Sequence, residues 1–237
     1  MPKSSEPNAA LPPIQISMPE VVKFIRQLAH DLRNHLNAAE LQSAYLAEIA
    51  ENSEVREEIK RLRGMISQVA ASLQEVTAAM SPPRLTEMEY GAKDLVEDLR
   101  QKLSSAHPEE GARVQWDVAD KDAKLNIDPQ LLLPALLELF ANAFRHERGE
   151  GAILASAGPS NGRYVFTLSE PKTNFQRSTE NWGREPLRTL GQGHYGLGLH
   201  RSRAIFEAHG GDFDAHHDKA ASALVTRVTL PAAPASA

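Results

Sequence analysis

Leu28-Ala29-His30-Asp31-Leu32-Arg33-Asn34-His35-Leu36 is the stretch whose reading decides how the chain is organised. On a helix of about 3.6 residues per turn, His30 stands roughly 200° round from Leu28, so an apolar position and a solvent-facing imidazole share one element. Asn34 falls one turn beyond His30 on the same face, and Asp31 adjoins it. An exposed imidazole at neutral pH is a free nucleophile, and a neighbouring acid orients the ring or accepts its proton. Taken alone, the stretch is equally well explained as an ordinary polar helix face.

Outward from it, apolar residues fall at Met18, Val21, Ile25, Leu28, Leu32, Ala39, Leu46 and Ile49, a heptad stripe interrupted by His35 and Gln42. After the polar Glu51-Asn52-Ser53-Glu54 the register resumes at Val55, Ile59, Leu62, Ile66, Val69, Leu73, Val76 and Met80. Ser53 is the expected cap of this second helix, and Ser81-Pro82-Pro83 its stop. Two such helices predict a hairpin with half of each stripe uncovered. At about 25 cal/mol per Å2 of apolar surface buried, a second copy is the expected cover, giving a homodimeric four-helix bundle; packing on the rest of the chain is the other solution.

Beyond the prolines the pattern alternates. Helices are expected near 92–104, 129–146 and 197–209, and strands near 113–118, 124–127, 152–157, 164–168, 212–216 and 223–230, with an irregular stretch at 170–193. The expected fold class is α + α/β, a helical hairpin followed by an α/β sandwich with helices on one face of the sheet. The expected domains are a tail at 1–17, a dimerisation unit at 18–80, a linker at 81–89, a sandwich at 90–230 and a second tail at 231–237.

Composition narrows the classes. The 237 residues are 41% hydrophobic and 24% charged, a globular mixture, and the net charge of -5 without a basic block argues against nucleic acid as a partner. No cysteine means no disulfide framework and no thiolate metal site, which suits a reducing compartment. The longest apolar run, around Leu131 to Phe140, is interrupted by Pro134 and Glu138, far short of the roughly 18–20 residues of a membrane span, and Met1 to Pro13 lacks the order of a signal peptide. A cytoplasmic protein without a membrane span is expected.

Two further motifs lie in the second half. Leu137-Glu138-Leu139-Phe140-Ala141-Asn142-Ala143-Phe144-Arg145-His146 puts Glu138, Asn142, Arg145 and His146 largely on one polar face of an apolar helix. Gly191-Gln192-Gly193-His194-Tyr195-Gly196-Leu197-Gly198-Leu199 precedes a helix that ends in Glu207-Ala208-His209-Gly210-Gly211. Glycines before a helix let backbone approach a phosphate, and first-turn N–H groups bind anions. His216-His217-Asp218 reads as a strand end rather than a metal site, and Trp116 and Trp182 as packing residues.

His30-Asp31-Leu32-Arg33-Asn34 resembles the H-box of sensor histidine kinases, Glu138 to His146 resembles their N-box, and Gly196-Leu197-Gly198-Leu199 their G2 box. The resemblance covers about residues 20–230 and carries clear implications. His30 would be the phosphoacceptor, making the chain a phosphoprotein, with Asp31 assisting transfer and Asn34 positioning water for a phosphatase reaction. Glu138 would polarise the attacking group or order the metal, Asn142 would hold Mg2+, and Arg145 and His146 would contact phosphate. Gly193, Gly196, Leu197 and Gly198 would hold the triphosphate of ATP under a lid at about 171–193.

The implied activity is a GHKL-type, ATP-dependent protein-histidine kinase that passes the phosphoryl group to an aspartate of a response-regulator receiver domain. The family's Asp-x-Gly-x-Gly run, which binds adenine, is replaced here by Glu170-Pro171-Lys172, in which Glu170 takes the aspartate's place and would accept from the adenine amino group, and its usual proline after the H-box is replaced by His35. The alternative reading is a histidine phosphotransferase or regulator-docking scaffold whose C-terminal domain has lost ATP. A stand-alone ATPase using Glu138 leaves the His30–Asn34 face unexplained.

Overall fold

The computed structural model describes residues 17–119, 123–145, 149–173, 175–176, 178–184 and 196–233. The chain divides into two compact units, Met1–Ala78 and Ala79–Ala237.

The first unit is a hairpin of α1 (Met18–Ile49) and α2 (Ser53–Ala79). At the start of α1 the Ser17 N–H donates to Glu20 Oε2 at 3.0 Å, which answers one backbone group just before the helix. The cap of α2 is Asn52, not Ser53: the Glu54 N–H donates to Asn52 Oδ1 at 2.7 Å, and Ser53 is already helical. Arg63 Nε and Nη2 both donate to Glu40 Oε1, at 2.9 and 2.6 Å, which ties the two helices across the hairpin.

The heptad stripe divides into two lines. On α2, Ile59 is buried and Ile66 half-buried, whereas Val55, Leu62 and Val69 are exposed. On α1 the expected Val21 and Ile25 are sheltered, but further along the sheltered positions include Ala29, Leu36, Ser43 and Ala47, while Leu28, Leu32, Leu46 and Ile49 stay exposed. From Ala29 onward the inward line of α1 is therefore turned from the expected one by about one residue, or ~100°. Ala29 and Ser43 are small, and helix separation is set by the side chains at the contact.

The second unit runs β1 (Met88–Gly91), α3 (Ala92–Ala106), α4 (Pro108–Gly111), β2 (Gln115–Val118), β3 (Lys124–Ile127), α5 (Pro129–Arg145), β4 (Leu154–Ser160), β5 (Arg163–Pro171), α6 (Gly198–Ala208), β6 (Asp212–Asp218) and β7 (Ala223–Pro231). The main sheet has the order β2-β4-β5-β7-β6, with β2 parallel to β4 and the other pairs antiparallel. Leu99, Leu136, Phe140, Phe166, Phe206 and Val228, from α3, α5, α6 and the sheet, form the heart of one core.

Two expectations change. Strand β1 begins within the stretch 81–89 expected to be linker: it pairs antiparallel with β3, Met88 opposite Ile127, and the Thr86 N–H donates to Asp128 Oδ2 at 2.8 Å. Four residues are too few for a period-2 pattern to stand out. At the other end β7 includes Pro231, and Ala232 bridges Leu125, so the chain is still tied to the sheet where a tail was expected.

Candidate functional site

The residues singled out by sequence fall into two groups, one in each unit. On α1, His30 and Asp31 are exposed, and His30 Nδ1 lies 3.2 Å from Asp31 Oδ1. An ionised carboxylate only accepts, so this contact suits a proton on Nδ1 and leaves the Nε2 lone pair free. Asp31 is itself steadied by Gln27, whose Nε2 donates to Oδ1 at 2.9 Å. Asn34 Nδ2 stands 3.5 Å from His30 Nδ1, so its amide is within reach of groups carried on the ring. His35 is exposed on the same helix, which stays continuous through this turn without the family's proline.

In the second unit, α5 presents Glu138 and Asn142, both half-buried. Asn142 Nδ2 donates to the Glu138 carbonyl at 2.8 Å and to Glu138 Oε1 at 3.0 Å, an arrangement that holds the carboxylate and leaves the amide oxygen as an acceptor. Gly198, the first residue of α6, packs against the Glu138 carboxylate so closely that a β-carbon there would overlap it. Gly196 adopts a positive φ of 62°, a conformation that favours glycine, and Leu197 between them is buried. Arg145 is exposed at the last position of α5. His146 and Gly193, also expected to touch phosphate, lie outside the described residues.

These donors fit Mg2+: Glu138 and the Asn142 amide oxygen are hard oxygen ligands of the kind it takes, held side by side on α5 by the Asn142 Nδ2 hydrogen bond to Glu138 Oε1.

The end of β5 differs in character. Along β5 the inward positions Tyr164, Phe166 and Leu168 are continued by Glu170 and, just past the strand, by Lys172, all of them buried. Lys172 Nζ lies 3.4 Å from Glu170 Oε2, an ion pair in which Oε2 accepts no hydrogen bond. Burial pushes the Glu170 carboxyl above the usual carboxylate range, and Lys172 pulls it part of the way back. Lys172 escaped the motif reading, although the period-2 inward rhythm of Tyr164, Phe166 and Leu168 points to it.

Sequence reasoning also missed a clamp on α6. His200 Nδ1 lies 3.2 Å from the Gly183 carbonyl oxygen, and Arg203 Nε donates to the Trp182 carbonyl at 3.0 Å. Arg203 is buried, with Nη2 donating to the Phe213 carbonyl at 2.7 Å. At the far end of α6, His209 Nδ1 contacts the Ile205 carbonyl at 2.7 Å, and the Asp128 N–H donates to its Nε2 at 3.0 Å. The His of Glu207-Ala208-His209-Gly210-Gly211 therefore joins α6 to the end of β3.

Among solved structures, full-length ShkA in complex with AMPPNP matches 91% of this chain and 47% of its own, with a TM-score of 0.66 and 20% identity. The fold is that of a sensor histidine kinase core. The histidine kinase AdeS of Acinetobacter baumannii aligns over 85% of this chain and 97% of its own at 15% identity, with a TM-score of 0.52. The catalytic domain of histidine kinase ThkA covers 61% of this chain and 95% of its own at a TM-score of 0.50 and 17% identity.

In sequence, the chain is 27% identical over 202 residues to the adaptive-response sensory kinase SasA of Synechococcus sp. (strain CC9311), covering 80% of this chain and 51% of that protein. It thus spans about half the length of the curated relative it matches. No protein-family profile matches. Among the described residues, no helix of this histidine kinase fold is long and apolar enough to cross a membrane.

Proposed function

We propose that the chain is a cytoplasmic protein-histidine kinase that phosphorylates its own His30 from ATP and passes the phosphoryl group to an aspartate of a response-regulator receiver domain. The observation that carries this reading is the contact of His30 Nδ1 with Asp31 Oδ1 on an exposed helix face, since it frees Nε2 as the nucleophile. Asp31 stabilises the positive charge that the ring acquires when Nε2 forms its new bond. Asn34, one turn away, orients a water for the reverse, phosphatase reaction.

In the second unit, Asn142 and Glu138 would hold Mg2+, and Arg145 with the turn at Gly196, Leu197 and Gly198 would hold phosphate. Bound Mg-ATP would supply the phosphoryl group and the charge neutralisation its transfer requires. The exposed Leu28, Leu32, Leu46 and Ile49 on α1, with Val55, Leu62 and Val69 on α2, support a homodimer closed as a four-helix bundle. Incubation with γ-labelled ATP and Mg2+ tests the reading: acid-labile label on the wild type, absent from His30→Gln, is required.

The Glu170–Lys172 pair favours one other reading, a histidine phosphotransferase or regulator-docking scaffold that takes phosphoryl groups from a receiver rather than from ATP. Under it Mg-ATP gives no thermal shift. A nucleotide present at 100 times its dissociation constant would instead stabilise by about 2.7 kcal/mol.

A further inference from the structure

The first turn of α6 has no cap of its own. Leu197 stands at the N-cap position and no side chain there accepts from the first N–H groups, so the turn takes its place from what packs against it. Two neighbours do so. On one side Gly198 lies against the Glu138 carboxylate of α5. On a helix of about 3.6 residues per turn, His200 and Arg203 stand roughly 160° and 140° round from Gly198, so they face the opposite way.

What they meet is the main chain at 182–183. His200 Nδ1 lies 3.2 Å from the Gly183 carbonyl oxygen, which only accepts, so the contact suits a proton on Nδ1. Close by, Arg203 Nε donates to the Trp182 carbonyl at 3.0 Å. Gly183 has a positive φ of 72°, and a β-carbon on it would stand 2.8 Å from the Leu199 carbonyl oxygen, closer than a carbon packs on backbone. The backbone of Gly183 thus bears directly on the first turn of α6. The segment is itself secured: the Trp182 N–H donates to the Thr179 carbonyl at 2.9 Å, Trp182 packs on Phe175 with ring centres 5.9 Å apart, and Phe175 packs on His217 of β6 at 5.5 Å. A lid was expected over 171–193; at 182–183 the chain is instead fastened to α6.

We infer that Gly183 and His200 are positioning residues of the phosphate turn, and that through them the segment at 182–183 sets how tightly this chain holds a nucleoside triphosphate. The first turn of α6 is gripped between Glu138 and Gly183, so its distance from the Glu138 and Asn142 donors follows from both contacts. Releasing the Gly183 side lets the turn drift from those donors, and a ligand that spans them loses affinity. Neither residue touches the nucleotide in this role. It rests on the reading of this unit as a nucleotide domain with phosphate at Gly196, Leu197 and Gly198.

Calorimetric titration of the full chain with Mg-AMPPNP, and with adenosine as a ligand lacking phosphate, tests it; no phosphoryl transfer is involved, so an inert His30 leaves the measurement standing. His200→Ala should bind Mg-AMPPNP at least ~10-fold more weakly than wild type and adenosine within about threefold of it. In His200→Asn the amide nitrogen takes the place of Nδ1 and donates to the Gly183 carbonyl, so Mg-AMPPNP binding should recover to within about threefold of wild type. A merely structural role would weaken both ligands alike. That result, unchanged Mg-AMPPNP affinity in His200→Ala, or no recovery in His200→Asn overturns the inference. Gly183→Ala should weaken Mg-AMPPNP at least as much, and should it not fold, the His200 variants, which leave the backbone at 183 unstrained, carry the test. Wild type that binds no Mg-AMPPNP sinks the nucleotide reading and this inference together; wild type that binds while the variants lose nothing sinks this inference alone.

Discussion

Gly198 lies against the Glu138 carboxylate with no room for a β-carbon between them, so the start of α6 and the polar face of α5 are fitted to each other through a single absent side chain. The crowded atoms belong to the end of a flexible side chain, so the fold can yield where the site cannot. Gly198→Ala should keep a thermal midpoint within a few degrees of wild type while Glu138 is displaced. Labelling of His30 from γ-labelled ATP should fall about 10- to 100-fold, the usual scale for lost positioning. Undiminished labelling would show that Glu138 does not act from this position.

Under the proposed function, Asn34 would separate the two directions of phosphoryl chemistry. It supplies neither the nucleophile nor a ligand for ATP, so Asn34→Ala should leave labelling of His30 nearly intact. Dephosphorylation of the cognate regulator should slow about 10- to 100-fold, because one water is no longer oriented. Loss of His30 labelling in a folded protein, or an unchanged dephosphorylation rate, refutes the role.

Glu170 should leave a mark on the pH dependence of stability. Its carboxyl is raised above 4.5 by burial, so the native state binds this proton more tightly than the unfolded chain does. That contribution is fully present below the unfolded value and is lost as pH rises through the folded one. Relative to Glu170→Gln/Lys172→Met, wild type should therefore gain stability as the pH falls from neutral toward 4.5. Urea denaturation of both proteins across that window measures the difference; a gap that is constant with pH is the contrary result.

Arg203 is expected to matter for the fold near α6. Arg203→Ala removes the donor to the Trp182 and Phe213 carbonyls, and a buried acceptor left without a partner costs about 1–3 kcal/mol. Arg203→Lys should recover only part of this, because an ammonium does not reproduce the planar fork. Chemical denaturation reads the loss, and equal stabilities for the lysine variant and wild type would contradict the fork geometry.

The hairpin supplies a contrasting case. Glu40 and Arg63 are partly solvent-exposed, so a double-mutant cycle on their pair should give no more than about 1 kcal/mol. Asn52→Ala should cost a similar ~1 kcal/mol through the lost cap, with Ser53→Ala nearly neutral.

The order of elements was legible because it depends on local periodicity. Heptads at 18–80 specify helices, alternation at 164–168 specifies a strand, and Pro82-Pro83 and the glycines at 196 and 198 punctuate both. The clustering of Glu138 with Asn142, and of His30 with Asp31 and Asn34, followed from helical spacing for the same reason. Which apolar line of α1 closes the hairpin did not follow. Leu28 and Ala29 are adjacent in sequence, and only packing against a second helix chose the smaller residue.

The four residues of β1 become a strand only when β3 supplies their partners, and Pro231 joins the sheet only because β5 lies beside it. Glu170 and Lys172 looked like a damaged motif followed by loop, until both side chains were buried on one face and had to answer each other's charge. Sequence by itself determined what the long periodic segments would become, since backbone periodicity and turn chemistry act within a few residues. Tertiary structure decided which faces meet and which charges are paired, since packing and desolvation act between residues that the chain brings together only on folding.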